Sequence, residues 1–157
     1  MDTDTLLKTL TETRATWEAL LARLDEEQMQ RPGAAGKWSV KDIIAHVAWC
    51  ESEVAPILRT HIFAGSDLWN LSDDESNEIT YQQNKDRTLD DIVHEERQAY
   101  TALLEAAQTL SNEDLNDPHR FKNMPEEWKP WQLIAGNSFK HYEDHMPYIH
   151  ERLAKNI

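Results

Sequence analysis

Apolar residues recur at helical intervals along almost the whole chain. Leu6, Leu10, Trp17, Leu21 and Leu24 mark one face of a first helix from about Thr3 to Leu24. Arg31-Pro32-Gly33 ends that pattern, and Gly36 adds a second break. Ser39 then stands as an N-cap, with Asp42 at the third helical position forming a short capping box. The second helix carries Val40, Ile43, Ile44, Val47, Cys50, Val54 and Ile57 and runs to about Phe63. Pro56 inside it predicts a bend or a loosened turn. Thr88 caps a third helix with Leu89, Ile92, Val93, Tyr100, Leu103, Leu104 and Ala107 on one side. A fourth opens at Pro130, a favoured first-turn residue, and runs to about Ala154. The stretch from about Ser111 to Lys129 reads as irregular. No strand pattern competes.

Four amphipathic helices in one 157-residue chain predict an all-α, single-domain four-helix bundle spanning residues 1–157. The link from Gly65 to Thr88 is long and holds a breaker-free run from Asp74 to Asn84, which predicts a short extra helix. A link of that length suits a crossover between parallel second and third helices, giving an up-down-down-up order.

Composition narrows the function. The formal charge is −13, from 29 acids against 16 Lys and Arg. Such a surface repels polyanions, so nucleic acid is not an expected partner. Four glycines, and no phosphate-cradling motif among them, argue against nucleotide binding. The single cysteine, Cys50, excludes an internal disulfide framework and reads as a small core residue. Neither a signal peptide nor a membrane span is evident, so the expected setting is the cytoplasm. A homodimer is a form open to such bundles, although no apolar surface patch is readable.

Three of the seven histidines stand apart. His141 and His145 are one turn apart on one face of the fourth helix, a spacing that suits a single metal ion. His46 shares a helical face with Ile43, Trp49 and Cys50 and so points at or near the core. It lies about 10 Å into the second helix, and His145 lies roughly 13 Å from the end of the fourth. The three stand level only if those helices are antiparallel, as the up-down-down-up order requires. On spacing alone a hydrogen-bonded core histidine explains His46 at least as well as a ligand does. Tyr142 follows His141 where a zinc protease has glutamate, so metalloprotease chemistry is disfavoured. His61, His94, His119 and His150 sit among charged or loop residues and read as solvated.

The stretches Gly36 to Trp49 (GKWSVKDIIAHVAW) and Trp131 to His145 (WQLIAGNSFKHYEDH) resemble the DinB/YfiT-like superfamily, and more narrowly its ClbS/DfsB branch. Trp69-Asn70 and Asn84 to Arg87 resemble that branch too. The resemblance implies an up-down-down-up bundle whose His46, His141 and His145 bind a divalent metal, typically zinc or nickel. It also implies small-molecule chemistry. The superfamily includes thiol transferases that use low-molecular-weight thiols and a maleylpyruvate isomerase. The branch is named for a colibactin self-resistance protein, a cyclopropane hydrolase that lacks the full triad, so its activity does not carry over with the metal site.

A metal on three neutral imidazoles keeps its charge and can activate water or a thiol. Asn137, one turn before His141, is placed to orient a ligand or to make an interhelical hydrogen bond. Trp49 and Tyr142, with Trp69, Trp128, Trp131 and Tyr81, are candidates to line a pocket, whereas Trp17 and Trp38 read as core. Two functions fit: a metal-dependent thiol transferase or hydrolase that detoxifies electrophilic small molecules, and a non-catalytic bundle that binds or sequesters them.

Overall fold

The computed structural model describes residues 1–155 and is all-α. The helices are α1 (Thr3–Leu21), α2 (Glu26–Gln30), α3 (Val40–Thr60), α4 (Asp73–Asn84), α5 (Leu89–Gln108), α6 (Asn112–Asn116), α7 (Pro130–Gly136) and α8 (Phe139–Ala154). Short 3₁₀ turns lie at Asp67–Asn70 and Pro118–Arg120. Among the described residues the extended pairings are isolated bridges, Ala35 with Trp38 and Ile62 with Lys122.

Side chains fix the helix starts. Ser39 accepts from the Asp42 amide while Asp42 accepts from that of Ser39, the reciprocal box read from sequence. Thr88 caps α5 through the Asp91 amide. Helix α3 runs on through Pro56, which lies on its exposed face, so the carbonyl freed by the missing N–H lies toward solvent. The expected fourth helix is in fact two. Asn137 leaves helical geometry, the Ser138 hydroxyl returns to the Ile134 carbonyl at 2.5 Å, and α8 starts afresh at Phe139. Two stretches expected to be irregular hold one-turn helices, α2 and α6, each closed by its own capping box. Helix α1 ends at Leu21 rather than Leu24, yet Leu24 is still buried.

The interior has two apolar layers. One joins Leu6 and Leu10 of α1 to Val54, Ile57 and Leu58 of α3 and Leu103 of α5. The other joins Trp17 and Leu20 of α1 to Val40, Ile43 and Val47 of α3, Ile92 of α5, and Tyr142 and Ile149 of α8. Burying each large aliphatic side chain contributes about 1.5–3 kcal/mol before chain entropy is counted.

Between the layers along α1, α3 and α5 lie three ionisable residues, Arg14, Glu51 and Glu96, only 3 %, 0 % and 2 % exposed. The Arg14 guanidinium grips both oxygens of Glu96, reaching Oε2 at 2.8 Å, and its Nε donates to Glu18 at 2.8 Å. It also stacks on the Tyr100 ring at 4.4 Å. Tyr142 of α8 stacks on Trp17, with ring centroids 5.4 Å apart, and its hydroxyl donates to Glu51. Burial pushes the Glu51 carboxyl up to about 8, so it is largely protonated at neutral pH. The four long helices thus share one buried polar network.

Helix α4 buries no large apolar side chain; Ser76 and Thr80 are its buried residues. Polar and aromatic ties hold it instead. Lys41 of α3 donates to the carbonyls of Lys85 and Arg87 past its C-terminus, at 2.8 and 2.9 Å. Tyr81 stacks on Trp38 at 6.2 Å, and Lys37 pairs with Glu78 at 2.7 Å. These ties set α4 against α3.

Candidate metal centre and cavity

Helices α3 and α8 gather His46 and His145 around His141. Nε2 of His141 lies 3.0 Å from Nε2 of His46 and 2.9 Å from Nε2 of His145. His46 sits two turns into α3, wedged between Trp38 and Trp49 at ring separations of 5.3 and 6.2 Å. His141 and His145 sit one turn apart on α8, their phase fixed by the new helix start at Phe139.

Burial, with His145 as a lesser influence, pushes His46 down to about 4. Burial, then His46 and His145, push His141 down to about 3. His145 is lowered by burial, against an opposing effect of Asp144. All three rings are therefore neutral near pH 7, the form in which an imidazole offers a lone pair. The one in-plane lone pair or proton at His141 Nε2 can serve only one well-directed hydrogen bond, yet two nitrogens crowd it. The three Nδ1 atoms are buried with no hydrogen-bond partner among the described residues, so no protein group fixes the tautomers. A cation on the Nε2 side would relieve the crowding and set each ring as its Nδ1–H tautomer. Tetrahedral zinc ligands at 2.0–2.1 Å stand about 3.3 Å from one another, close to the spacings here. The donors fit a metal ion.

Cys50, read from sequence as core packing, is both buried and part of this cluster. Its Sγ lies 3.9 Å from His46 Nε2. His46, Cys50 and His141 have their ligand atoms within 4.8 Å of one another, a spacing that could hold a metal ion. Burial first, then Glu51, Glu53 and Asp73, push the thiol up to about 12, so without a metal it is protonated and a poor nucleophile.

The cluster opens into a cavity of about 410 Å³ between α3, α4 and the α7–α8 break. Trp49, Trp69, Asp73 and Asn137 are among its walls, together with His46, Cys50 and His141. Trp69 is held against Phe63, at 5.5 Å between rings, over Gly65. A Cβ on Gly65 would fall 2.1 Å from Trp69 Cδ2, so only glycine lets the indole lie there. Asn137 donates through Nδ2 to the Leu133 carbonyl at 2.9 Å, closing α7 rather than bridging helices, while still facing the cavity.

Other expected positions fall elsewhere. Tyr142 is fully buried in the polar network and does not line the cavity. Trp128 lies 41 % exposed, Trp131 takes Lys140 over its ring, and Tyr81 faces a minor recess behind His46 with Trp38. Trp38 is half-buried, packed against the second apolar layer and beside His46. His94, His119 and His150 are exposed, as expected. His61 stacks on Phe121 beside Asp114. The sequence did hold a signal for the missed network: Arg14, Glu51 and Glu96 interrupt apolar stripes at helical spacing, where outward-facing charges do not fall.

Comparison with known proteins gives a family and a fold. The profile of the DinB superfamily matches residues 9–149. An uncharacterised protein from Escherichia coli UTI89 has a structure similar to this one, with a TM-score of 0.80 at 11 % identity over 99 % of this chain and 94 % of that one. A Streptococcus pneumoniae protein reaches 0.81 at 14 % identity, over 96 % and 90 %. DfsB, described as a sibling lethal factor precursor, reaches 0.80 at 19 % identity, over 96 % and 94 %. No curated protein matches the chain. No helix among the described residues is long and apolar enough to cross a membrane.

Proposed function

Since the chain belongs to the DinB superfamily, we propose that His46, His141 and His145 hold a divalent metal ion, zinc or nickel as the family resemblance implies, beneath a small-molecule cavity. The function we assign is attack by water or a thiol on an electrophilic small molecule, a detoxifying hydrolase or thiol transferase. The observation carrying this reading is the convergence of three neutral Nε2 atoms, 2.9 and 3.0 Å apart at the nearest contacts, beside that cavity. A divalent ion supplies Lewis acidity, which lets water or a thiol ionise near neutral pH. The residues do the rest: Trp38 and Trp49 flank His46, Trp69 covers one wall, and Asn137 offers a polar contact at another.

We read the four long helices as an up-down-down-up bundle with α4 in the crossover. Two pairings support antiparallel α3 and α8. Tyr142, early in α8, meets Glu51 in the second half of α3, while Arg152, late in α8, meets the Arg31 and Pro32 carbonyls before α3 begins. That order makes the three histidines level.

Cys50 favours a second reading. If its sulfur, 3.9 Å from His46 Nε2, joins three imidazoles, the coordination closes as in structural sites, and the protein binds or sequesters a small molecule without turnover. Metal analysis of protein purified without a nickel column tests the site, and His141→Ala should lose the ion. Stoichiometric metal in that variant refutes the triad. Loss of a model electrophile, with water alone and with bacillithiol, mycothiol or glutathione, separates enzyme from binder. No turnover in the wild type, with turnover gained in Cys50→Ser, identifies the closed site.

A further inference from the structure

Of the residues lining the cavity over the histidines, Asp73 is the one with a carboxylate side chain. It is the first residue of α4, and no side chain or backbone group among the described residues hydrogen-bonds or ion-pairs with its carboxylate. Among the described residues no lysine or arginine lines the cavity. Two indoles share the walls with aliphatic and small polar residues, Trp49 from α3 and Trp69 from the 3₁₀ turn, the latter fixed in place by Phe63 and by the absence of a side chain at Gly65.

Two indoles and an unpaired carboxylate make a recognised chemistry. Indole faces attract cations and electron-poor rings, and the attraction grows where water is excluded. A free acid beside them supplies the counter-charge, and the surrounding −13 field steers cations inward.

We propose that this cavity selects a cationic or electron-poor flat organic molecule, with Asp73 as its counter-charge and Trp49 and Trp69 as its stacking faces. This rests on the cavity being the small-molecule site described above, and it names the substrate class. The ligand lies with its cationic end at Asp73 and its reacting carbon at the histidines, because a metal ion there would repel the charged end. The cavity offers glutathione no cationic partner for its carboxylates, so water is the better-matched nucleophile.

The test uses three flat bicyclic probes of similar size: N-methylquinolinium (cation), 2-naphthol (neutral) and 2-naphthalenesulfonate (anion). Their binding to the protein as purified is measured by equilibrium dialysis at low salt, beside its metal content. The cation should bind at least about tenfold tighter than the sulfonate. Asp73→Asn should cut cation affinity about fivefold or more and leave 2-naphthol unchanged. Asp74→Asn removes the same charge one residue away, outside the cavity walls, and should cost less than half as much. Equal binding of cation and anion, or equal losses in Asp73→Asn and Asp74→Asn, overturns the charge selection while leaving the cavity as a ligand site. Failure of every probe to bind overturns this proposal; metal content that still depends on His141 would then show that the metal site stands without it.

Discussion

Replacing Arg14 by Met should destabilise the protein by about 3–5 kcal/mol, the range for breaking a buried ion pair from one side. Both partners are almost fully enclosed, with 4 % and 3 % of their side chains exposed. Burial alone would lower the guanidinium pKa, but the Glu96 carboxylate outweighs it and the net shift is upward. Methionine keeps much of the packing on Tyr100 but leaves Glu96 buried and unpaired. For a domain of this size, 1 kcal/mol corresponds to roughly 2–4 °C in Tm, so the variant should melt roughly 6–20 °C lower. Glu96→Leu should cost less, because Arg14 keeps its 2.8 Å contact to the half-exposed Glu18. The double variant should recover part of the loss, with a coupling of 2 kcal/mol or more by the order of magnitude such pairs show. Urea unfolding at pH 7, followed by circular dichroism on all four proteins, measures these quantities. A loss below about 1 kcal/mol in Arg14→Met, or additivity within about 0.5 kcal/mol, would refute the reasoning.

Asp114 gives a pH prediction. Burial raises its carboxyl pKa, but the Ser111 amide and hydroxyl and Arg120 prevail and bring it from 3.8 to about 2. A depressed folded value contributes stability above pH 3.8 that is lost as pH falls toward 2, about 2 kcal/mol in full. Urea midpoints should therefore separate wild type from Asp114→Asn at pH 6 and converge near pH 2.5; a gap of constant size would contradict this. Gly65→Ala should displace Trp69 and cost about 1–3 kcal/mol, whereas Gly136→Ala, whose Cβ meets nothing within 4 Å, should gain up to about 1 kcal/mol. Similar effects at the two glycines, read by thermal melting and near-ultraviolet dichroism, would count against the placement of the indole.

The long helices were legible because each carries its own start signal and a sustained apolar stripe. Ser39 with Asp42, and Thr88, mark starts that the structure reproduces. Short helices were not, since five residues give no full period; only the Asp25–Gln28 and Ser111–Asp114 boxes betray them. The break at Asn137 left only Gly136 as a hint, because asparagine and serine are tolerated within helices. The histidines were legible through level, the height of each residue along its helix. The place of Cys50 was not, because one turn along a helix says nothing about how far a neighbouring helix leans in. Tyr142 was read as one of several aromatic pocket candidates, yet a single residue step from His141 turns the helix by about 100° and points it into the core.

That turn divides α8 between two tasks. His141 lines the cavity with His145 beside it, while Tyr142 and Ile149, interleaved with them in sequence, anchor the interior. Scaffold and chemistry thus occupy different phases of one helix. Because the buried network, and not the imidazoles, ties the long helices together, a descendant of this chain can exchange its histidines one at a time and keep its shape. Such a scaffold can outlive its chemistry, and bundles of similar form at low identity need share no reaction.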